Sequence, residues 1–198
     1  MKFNFIHYKS LVGVFMSIIR EATKKIVKKS SKLNDLFYIK GFGIKFTFRL
    51  YLFNLFINFI SGRKQKKFNY AHYTSRVISE ENLHLEGSGK GTYSSMVASG
   101  ACYIQAGNGV YIGEGTIWAP NVAIISANHD LDKDNKEWKY SDSVRIGKNC
   151  WIGTKAIILP GVNIGNGCTI AAGAVVTKTF EGDNLTLAGV PAKIIKKD

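Results

Sequence analysis

The sequence predicts an all-β fold, a parallel β-helix with three hexapeptides per coil, preceded by a basic and partly helical N-terminal extension. This prediction rests on a six-residue aliphatic repeat, on the glycine content and on the placement of charge. Twenty glycines against three prolines, with many isoleucines and valines, favour short strands and tight turns over a helical bundle. A length of 198 residues accommodates one such body and an appendage rather than two full domains.

The repeat begins near residue 104 and is clearest after residue 146. Aliphatic side chains recur six positions apart at Ile146, Ile152, Ile158, Ile164, Ile170 and Val176, with Ile112 and Ile124 in the same phase upstream. A small residue usually follows each of them. Four positions after the aliphatic residue stands a second compact side chain, as at Thr116, Val122, Cys150, Ala156, Val162, Cys168 and Ala174. Neither an amphipathic helix nor an alternating strand has a period of six.

A triangular coil explains this period. Each hexapeptide forms one flat side and one corner: the aliphatic residue points into the prism, the small residue after it fits the turn, and the compact residue fills the remaining interior. Stacked coils then bury a continuous apolar column and pair their strands as three parallel sheets. On this interpretation Cys150 and Cys168 are small core residues rather than nucleophiles.

The cysteines and the N-terminus also bear on the compartment. Cys102, Cys150 and Cys168 form an odd number without C-x-x-C spacing, which argues against a disulfide framework and a zinc ribbon. The apolar residues 11–19 are followed by a polar, basic segment without a small-residue cleavage site, which argues against a secretory signal peptide. We therefore expect a cytoplasmic protein that requires no metal.

The net positive charge of the chain is confined to the N-terminal extension, residues 1–67. This segment holds 15 Lys and Arg against Glu21 and Asp35, a net charge of +13, whereas the body, residues 68–198, holds 12 basic and 12 acidic residues. A nucleic-acid groove would carry its basic residues in the folded body. The distribution therefore predicts no nucleic-acid partner.

Two apolar segments of the extension admit two interpretations. Residues 11–29 carry apolar side chains at helical spacing with basic residues toward the end, and residues 50–60 form an apolar stretch between basic residues. The second stretch is too short to span a bilayer, which takes about 20 residues. The segments either anchor the protein peripherally to the inner face of an anionic membrane, or pack on the body or a neighbouring subunit with their lysines in solvent.

The repeat is interrupted between Ala127 and Val144. The intervening residues are polar and fit no period of six, so they must leave the prism as an external loop, residues 127–143. Loops on rigid scaffolds concentrate functional residues. This loop contains His129, the only histidine in residues 100–198, and is therefore the predicted active site.

Five segments of the body carry recognisable motifs: NVAIISANH at residues 121–129, IGKNCWIG at 146–153, ILPGVNIG at 158–165, AGAVVTK at 172–178 and AGVPAK at 188–193. Together they resemble the hexapeptide-repeat acyltransferases, in the branch of the galactoside, maltose, serine and polysaccharide O-acetyltransferases. The resemblance covers about residue 100 to the C-terminus. It implies a left-handed coil, which the period alone does not fix, and a homotrimer.

The resemblance further implies acetyl transfer from acetyl-CoA to a saccharide hydroxyl, in a precursor of a cell-surface polysaccharide. The family's loop histidine is the general base, so His129 would take the hydroxyl proton as the oxygen attacks the thioester, a role that contributes roughly 10²–10⁴-fold. Transfer is direct, without an acyl-enzyme. Asn128 and Asp130 are candidates to orient His129 or the acceptor.

By the same resemblance, acetyl-CoA lies in the groove between adjacent prisms. The residues at matching positions are Trp151, Thr154, Ala172, Thr177, Lys178, Lys193 and Lys196. The lysines suit the phosphate groups of coenzyme A. On the acceptor side, Ser99 stands where sugar-acetylating members carry an asparagine, and Gln105 is a second polar candidate.

Other functions fit this sequence less well. γ-Class carbonic anhydrases need three convergent zinc-binding histidines, which the repeat body cannot supply. Sugar nucleotidyltransferases carry a nucleotide-binding domain for which residues 1–67 are too short and too hydrophobic. Two alternatives stay open: a serine or other small-molecule acetyltransferase, and a non-catalytic trimeric scaffold at a membrane surface.

Overall fold

The computed structural model describes residues 13–14, 17–18, 21, 44–63, 67–87, 91–132 and 137–197. Two α-helices are bounded in this part of the chain, α1 (Ile44–Ile60) and α2 (Thr92–Ala98), with a 3-10 turn at Glu80–Asn82. The strands are β1 (Arg76–Ile78), β2 (Leu83–Leu85), β3 (Tyr103–Gln105), β4 (Val110–Ile112), β5 (Ile117–Trp118), β6 (Ala123–Ile125), β7 (Asn128–His129), β8 (Trp138–Lys139), β9 (Val144–Ile146), β10 (Trp151–Ile152), β11 (Ile157–Ile158), β12 (Asn163–Ile164), β13 (Thr169–Ile170), β14 (Val175–Val176), β15 (Leu185–Gly189) and β16 (Ala192–Lys197).

Three parallel sheets form the sides of a prism. Sheet A runs β1-β3-β6-β11-β14, sheet B runs β2-β4-β9-β12, and sheet C runs β5-β10-β13-β15 and ends on the antiparallel strand β16. Between residues 144 and 176, paired residues in successive coils stand 18 positions apart, as Trp151 and Thr169 do in sheet C. The fold is therefore the predicted left-handed parallel β-helix of three hexapeptides per coil.

The interior of the prism is the predicted apolar column. Each repeat-phase aliphatic residue from Ile112 to Val176 and each compact residue four positions later is buried. The three cysteines are buried and free of disulfides, which confirms the core assignment of Cys150 and Cys168. Burial raises the pKa of the Cys102 and Cys150 thiols, so neither is poised as a thiolate nucleophile.

The small residue after each aliphatic residue serves a second purpose besides the predicted one. It opens the turn, since the Gly113 carbonyl accepts from the Thr116 N–H at 3.3 Å and the Gly153 carbonyl accepts from the Ala156 N–H at 3.2 Å, but the left-handed backbone conformation falls two positions later, as at Asn149 and Gly167. The glycine itself permits close stacking of coils. A Cβ on Gly113 would lie 2.6 Å from the carbonyl carbon of Gly147, and one on Gly147 would lie 2.6 Å from that of Gly165.

The prism starts earlier than the repeat predicts. Strands β1 and β2 already pair in register with β3 and β4, within a region that shows no clear period in the sequence. The third side of this first coil is the helix α2. Its Ser95 hydroxyl accepts from the Trp118 N–H at 3.1 Å, and the Ser99 hydroxyl donates to the Trp118 carbonyl at 2.6 Å, so α2 covers the β5 edge of sheet C.

The second apolar segment of the extension is helical, and α1 begins six residues before it. This helix packs on α2 and on the residues that precede β1. Of the first predicted helix, residues 11–29, the structure describes only residues 13, 14, 17, 18 and 21, all helical; the remainder lies outside the described residues. Within the described part of the chain, no helix combines the length and apolar character needed to cross a bilayer.

Candidate active site

The loop that carries His129 is an antiparallel hairpin. Strand β7 pairs with β8 so that His129 faces Trp138 and Asn128 faces Lys139, and the Asp130 N–H donates to the Glu137 carbonyl at 2.7 Å. The hairpin leaves the prism after β6, at the corner between sheets A and B. His129 is exposed on it. The predicted external loop is therefore an ordered projection in its described parts, rather than an irregular excursion.

A buried glutamine holds the start of this hairpin. The side chain of Gln105 accepts hydrogen bonds from the backbone N–H of Ser126 at 3.2 Å and of Ala127 at 2.9 Å. The Ser126 hydroxyl donates back to the Gln105 carbonyl at 3.0 Å. Because Ala127 is two residues from His129, Gln105 fixes the backbone from which His129 projects.

The far side of the hairpin is tied to the same corner. The Asn108 side-chain amide donates to the Lys139 carbonyl at 2.9 Å and to the Ser141 hydroxyl at 3.0 Å. The Ser141 hydroxyl in turn donates to the Ser126 carbonyl at 2.8 Å. Both strands of the hairpin are thus joined to the prism through directional polar contacts.

The absence of a side chain at Gly107 leaves room for Trp138 of the hairpin. The six-membered ring of Trp138 lies against Gly107, where an added Cβ would come within 2.5 Å of the ring carbon Cζ3 and 3.1 Å of the Ala127 Cβ. Glycine at position 107 is therefore a matter of space, since its backbone is not in the left-handed region. Sequence reasoning missed Gly107, Asn108, Ser126, Trp138 and Ser141 as supports of the histidine. All of them except Ser126 stand outside the recognised motifs, and Ser126 lies within the motif at residues 121–129 without a pattern that marks it as a support.

An open cleft of about 560 Å³ lies beside the hairpin. Its lining residues are Asn128, His129, Asp130, Leu131, Asp132 and Lys139. All three candidate catalytic residues therefore share one cleft. The Asp130 carboxylate accepts from the Asp132 N–H at 3.2 Å, which shapes the turn of the hairpin.

The two candidate acceptor residues are placed differently from expectation. Ser99 is buried at the end of α2, where its hydroxyl donates to Trp118 and its carbonyl accepts from the Ser75 hydroxyl at 2.8 Å. Gln105 is also buried, and its side-chain oxygen accepts the two loop N–H groups. Neither side chain lines the cleft beside His129. Ser99 closes a sheet edge and Gln105 supports the loop.

Most of the candidate coenzyme residues lie on or beside sheet C. Trp151, which is 44% exposed, is in register with Thr169, then Thr186, then Lys196 across four neighbouring strands. The register therefore aligns these side chains in one row across the outer face of sheet C, with a lysine at its end. A half-exposed indole and a terminal cation on one open face suit a long ligand that carries phosphate groups.

The corner between sheets C and A adjoins this row. Thr154 and Ala172 are exposed there in successive coils, and the Gly173 N–H donates to the Thr154 carbonyl at 2.9 Å. Lys193 pairs with Ala188 in the hairpin of β15 and β16. The candidates Trp151, Thr154, Ala172, Lys193 and Lys196 are therefore grouped on one side of the prism.

Thr177 and Lys178 lie elsewhere. They follow β14 at the corner between sheets A and B, the same corner from which the His129 hairpin leaves. The Lys178 ammonium stands 5.8 Å from the centre of the Phe180 ring. His129, Thr177 and Lys178 therefore lie at the corner between sheets A and B. The other five candidates lie at the corner between sheets C and A or on sheet C.

The described residues contain no candidate metal site. Among them, no three His, Cys, Asp or Glu side chains come together in a group that could hold a metal ion.

Similarity to known proteins is concentrated in the prism. Residues 143–178 match a family described as "Hexapeptide repeat of succinyl-transferase". A putative acetyltransferase of Saccharomyces cerevisiae is 43% identical over 130 residues, which cover 65% of this chain and 59% of that protein. The galactoside O-acetyltransferase of Escherichia coli is 39% identical over 92 residues, 44% of each chain.

A third relative has a name connected with the cell surface. A putative lipopolysaccharide biosynthesis O-acetyl transferase of Escherichia coli is 33% identical over 129 residues, which cover 58% of this chain and 65% of that protein. The chain thus spans between 44% and 65% of the length of these three relatives. The matched repeats and their register in three parallel sheets make this chain similar, over the prism, to the hexapeptide-repeat acetyltransferases.

Proposed function

We propose that the chain is an O-acetyltransferase that moves the acetyl group of acetyl-CoA to a hydroxyl of a saccharide, with His129 as general base. The observation that carries this proposal is the hairpin, which projects an exposed imidazole beside an open cleft and is fixed to the prism by buried polar contacts. A general base must hold its position within hydrogen-bond reach of the acceptor. A hairpin tied at both strands meets this requirement better than a free loop.

The proposed step is direct transfer. A ring nitrogen of His129 removes the hydroxyl proton while the hydroxyl oxygen forms a bond to the thioester carbonyl carbon. The carbon–sulfur bond then breaks, and the proton held by the imidazole goes to the thiolate that leaves as coenzyme A. The products are the acetyl ester and the free thiol, so no acyl-enzyme is needed. Asn128 and Asp130, which share the cleft, are placed to orient the acceptor.

The donor is proposed to lie on the outer face of sheet C. There Trp151 and Lys196 share one row, and the exposed Thr154 and Ala172 edge the neighbouring corner. Small side chains at this corner leave backbone accessible to an extended pantetheine arm, and Lys193 and Lys196 supply charge for phosphates.

A homotrimer would complete the site. Sheet A lies between the corner that carries His129 and the corner that carries Thr154 and Ala172. Because its strands are at most three residues long, these two corners are roughly 10 Å apart. A neighbouring copy can present its Ala172 corner to the His129 corner of the first. Sheet A also carries outward-facing apolar side chains, Tyr103, Ile157 and Val175, which such a neighbour would cover.

The acceptor is proposed to be a sugar of a cell-surface polysaccharide precursor. The names of two relatives, a galactoside O-acetyltransferase and a putative lipopolysaccharide biosynthesis O-acetyl transferase, support a saccharide. The open shape of the cleft suits a unit of a longer chain, since a free monosaccharide would not need an open end.

The first experiment measures thiol release from acetyl-CoA with a panel of mono- and oligosaccharides and with serine. We expect saccharide-dependent turnover that falls at least about 10²-fold in kcat in His129→Ala. His84→Ala is the matched control, because His84 is an exposed histidine on sheet B that stacks on Tyr111 at 4.6 Å. Turnover that survives His129→Ala would remove the base assignment. Turnover with serine alone would reassign the acceptor.

The shared site is tested by complementation. His129→Ala and Ala172→Trp should each be inactive, the second because a large side chain fills the proposed donor corner. If each site takes one corner from each of two subunits, random co-assembly of the two variants restores about one quarter of the sites. No recovery in mixed trimers would show that each chain forms its site alone.

A further inference from the structure

Helix α1 buries its two asparagines and leaves large apolar side chains exposed near its C-terminal end. Asn54 is fully buried, and its side-chain amide donates to the Val97 carbonyl at 2.9 Å and to the Tyr70 carbonyl at 3.2 Å. One turn later, the Asn58 amide donates to the carbonyls of Asn69 at 2.7 Å and Ala71 at 3.0 Å. The asparagines therefore clamp the helix to the first coil through four backbone carbonyls.

The outer face of α1 consists of Arg49, Phe56, Phe59 and Ile60. At 100° per residue these positions lie on the side opposite Asn54 and Asn58. Phe59 is 84% exposed and Ile60 is 58% exposed, and Phe56 and Arg49 are exposed as well. Because the inner face is clamped to the body, the exposed side chains of Phe59 and Ile60 belong to a fixed surface on which a partner can dock.

Charge restricts the choice of partner. Residues 36–79, which contain the whole helix, hold eight cations and no Asp or Glu: Lys40, Lys45, Arg49, Arg63, Lys64, Lys66, Lys67 and Arg76. Arg49 lies on the outer face itself, whereas Arg63 and Lys67 donate to backbone carbonyls of the body. A second copy packed on the same face would therefore bring two positively charged segments together, and neither segment has a carboxylate to pair them. An anionic surface that also accepts apolar side chains satisfies both properties of this face.

We propose that the outer face of α1 docks on an anionic phospholipid membrane, with the helix lying in the interface. A helix of 17 residues is about 25 Å long, and in this orientation its apolar side chains enter the boundary between headgroups and acyl chains. Arg49, at the N-terminal end of the face, extends its guanidinium to the phosphates. Val14 and Ile18, exposed one helical turn apart in the described part of the first helix, add apolar area of the same kind.

This orientation has a consequence for the proposed reaction. The His129 hairpin leaves from β6, which stands two strands from β1 in sheet A, about 10 Å along the prism from the first coil. A saccharide carried on a membrane lipid would then lie within reach of the cleft. This last step rests on the proposed function, whereas the docking of α1 does not.

The first test is flotation of the full-length protein with vesicles, in the absence of acetyl-CoA and acceptor. We expect binding to vesicles of phosphatidylglycerol and phosphatidylcholine in equal parts, weak binding to phosphatidylcholine alone, and loss of binding at high salt. Phe59→Glu should weaken partition at least about tenfold, because it removes one buried aromatic side chain and adds repulsion. Leu131→Glu, at a side chain 85% exposed on the hairpin, is the matched control and should bind as wild type.

A second test reports depth directly. Because Cys102, Cys150 and Cys168 are buried, an environment-sensitive fluorophore will attach selectively to the new thiol of the Phe59→Cys variant. Its emission should shift to the blue on anionic vesicles and be quenched by brominated acyl chains, whereas a label on Leu131→Cys should not respond.

Two results would overturn the proposal. Equal partition of wild type and Phe59→Glu, or a label on Phe59→Cys that stays in water, would show that α1 does not enter the interface. A change of oligomeric state in Phe59→Glu with unaltered vesicle partition would assign the face to a second copy of the chain. Vesicle binding is measured without turnover, so failure here and failure of the acetyltransferase proposal are separate results.

Discussion

The coils of the prism are held together by apolar burial, whereas helix α1 and the His129 hairpin are attached to them by buried polar contacts. The coils bury aliphatic side chains such as Ile158 in a periodic column. Helix α1 and the His129 hairpin are instead fixed by buried amide side chains that bind backbone groups, Asn54 and Gln105 among them. A repeat can rely on non-directional burial because each coil matches its neighbours, whereas a segment that breaks the register needs contacts that fix its direction.

The largest expected effect is on the column. Ile158→Ala removes a fully buried side chain between two coils and should lower the free energy of unfolding by about 2–5 kcal/mol. Chemical denaturation measures this change. Ile195→Ala, at a side chain 65% exposed on β16, is the control and should stay within about 0.5 kcal/mol of wild type. Similar losses in both variants would contradict the column as the main source of stability.

The next effect is on the attachment of α1. Asn54→Leu keeps the branching at Cγ but leaves the Val97 and Tyr70 carbonyls and the Tyr73 N–H without their partner, which should cost about 1–3 kcal/mol. Denaturation and limited proteolysis after residue 60 measure it. If Asn54→Leu instead raises the free energy of unfolding, apolar packing rather than the amide hydrogen bonds holds α1 on the body.

The hairpin should respond in activity more than in stability. Gly107→Ala displaces the Trp138 ring and with it the strand opposite His129, so kcat for acetyl transfer should fall by about 10–100-fold, while the free energy of unfolding changes by less than about 1 kcal/mol. The double variant Gly107→Ala with Trp138→Leu makes room for the new methyl and should recover part of the activity. An unchanged kcat in Gly107→Ala would show that the seat of Trp138 does not position His129.

The smallest effect on stability is expected at the outer face of α1. Phe59→Ser removes an aromatic ring that contacts mostly solvent, so the free energy of unfolding should stay within about 0.5 kcal/mol of wild type. Denaturation in the absence of vesicles is the measurement. A loss comparable to that of Asn54→Leu would mean that Phe59 packs on the protein, and the contrast between the two faces of the helix would disappear.

The sequence predicted the parts of the molecule in which burial is periodic. The six-residue spacing predicted the three sheets, the interior position of Cys150 and the loop that carries His129, and each of these follows from local pattern alone. The catalytic and coenzyme roles of the candidate residues stay predictions. The expected use of the small residue was incomplete, since Gly147 also permits contact between coils and the left-handed conformation of the turn falls at Asn149.

What only the tertiary structure decided are the contacts between residues far apart in the sequence. Gln105 and Ser99 look like exposed polar candidates in the sequence, yet Gln105 binds Ala127 and Ser99 binds Trp118, and pairing over such separations leaves no periodic trace. The orientation of α1 is a second case. Its composition is apolar on nearly all sides, so no amphipathic pattern selects a buried face; the carbonyls offered by Val97 and Ala71 select the side that carries the asparagines.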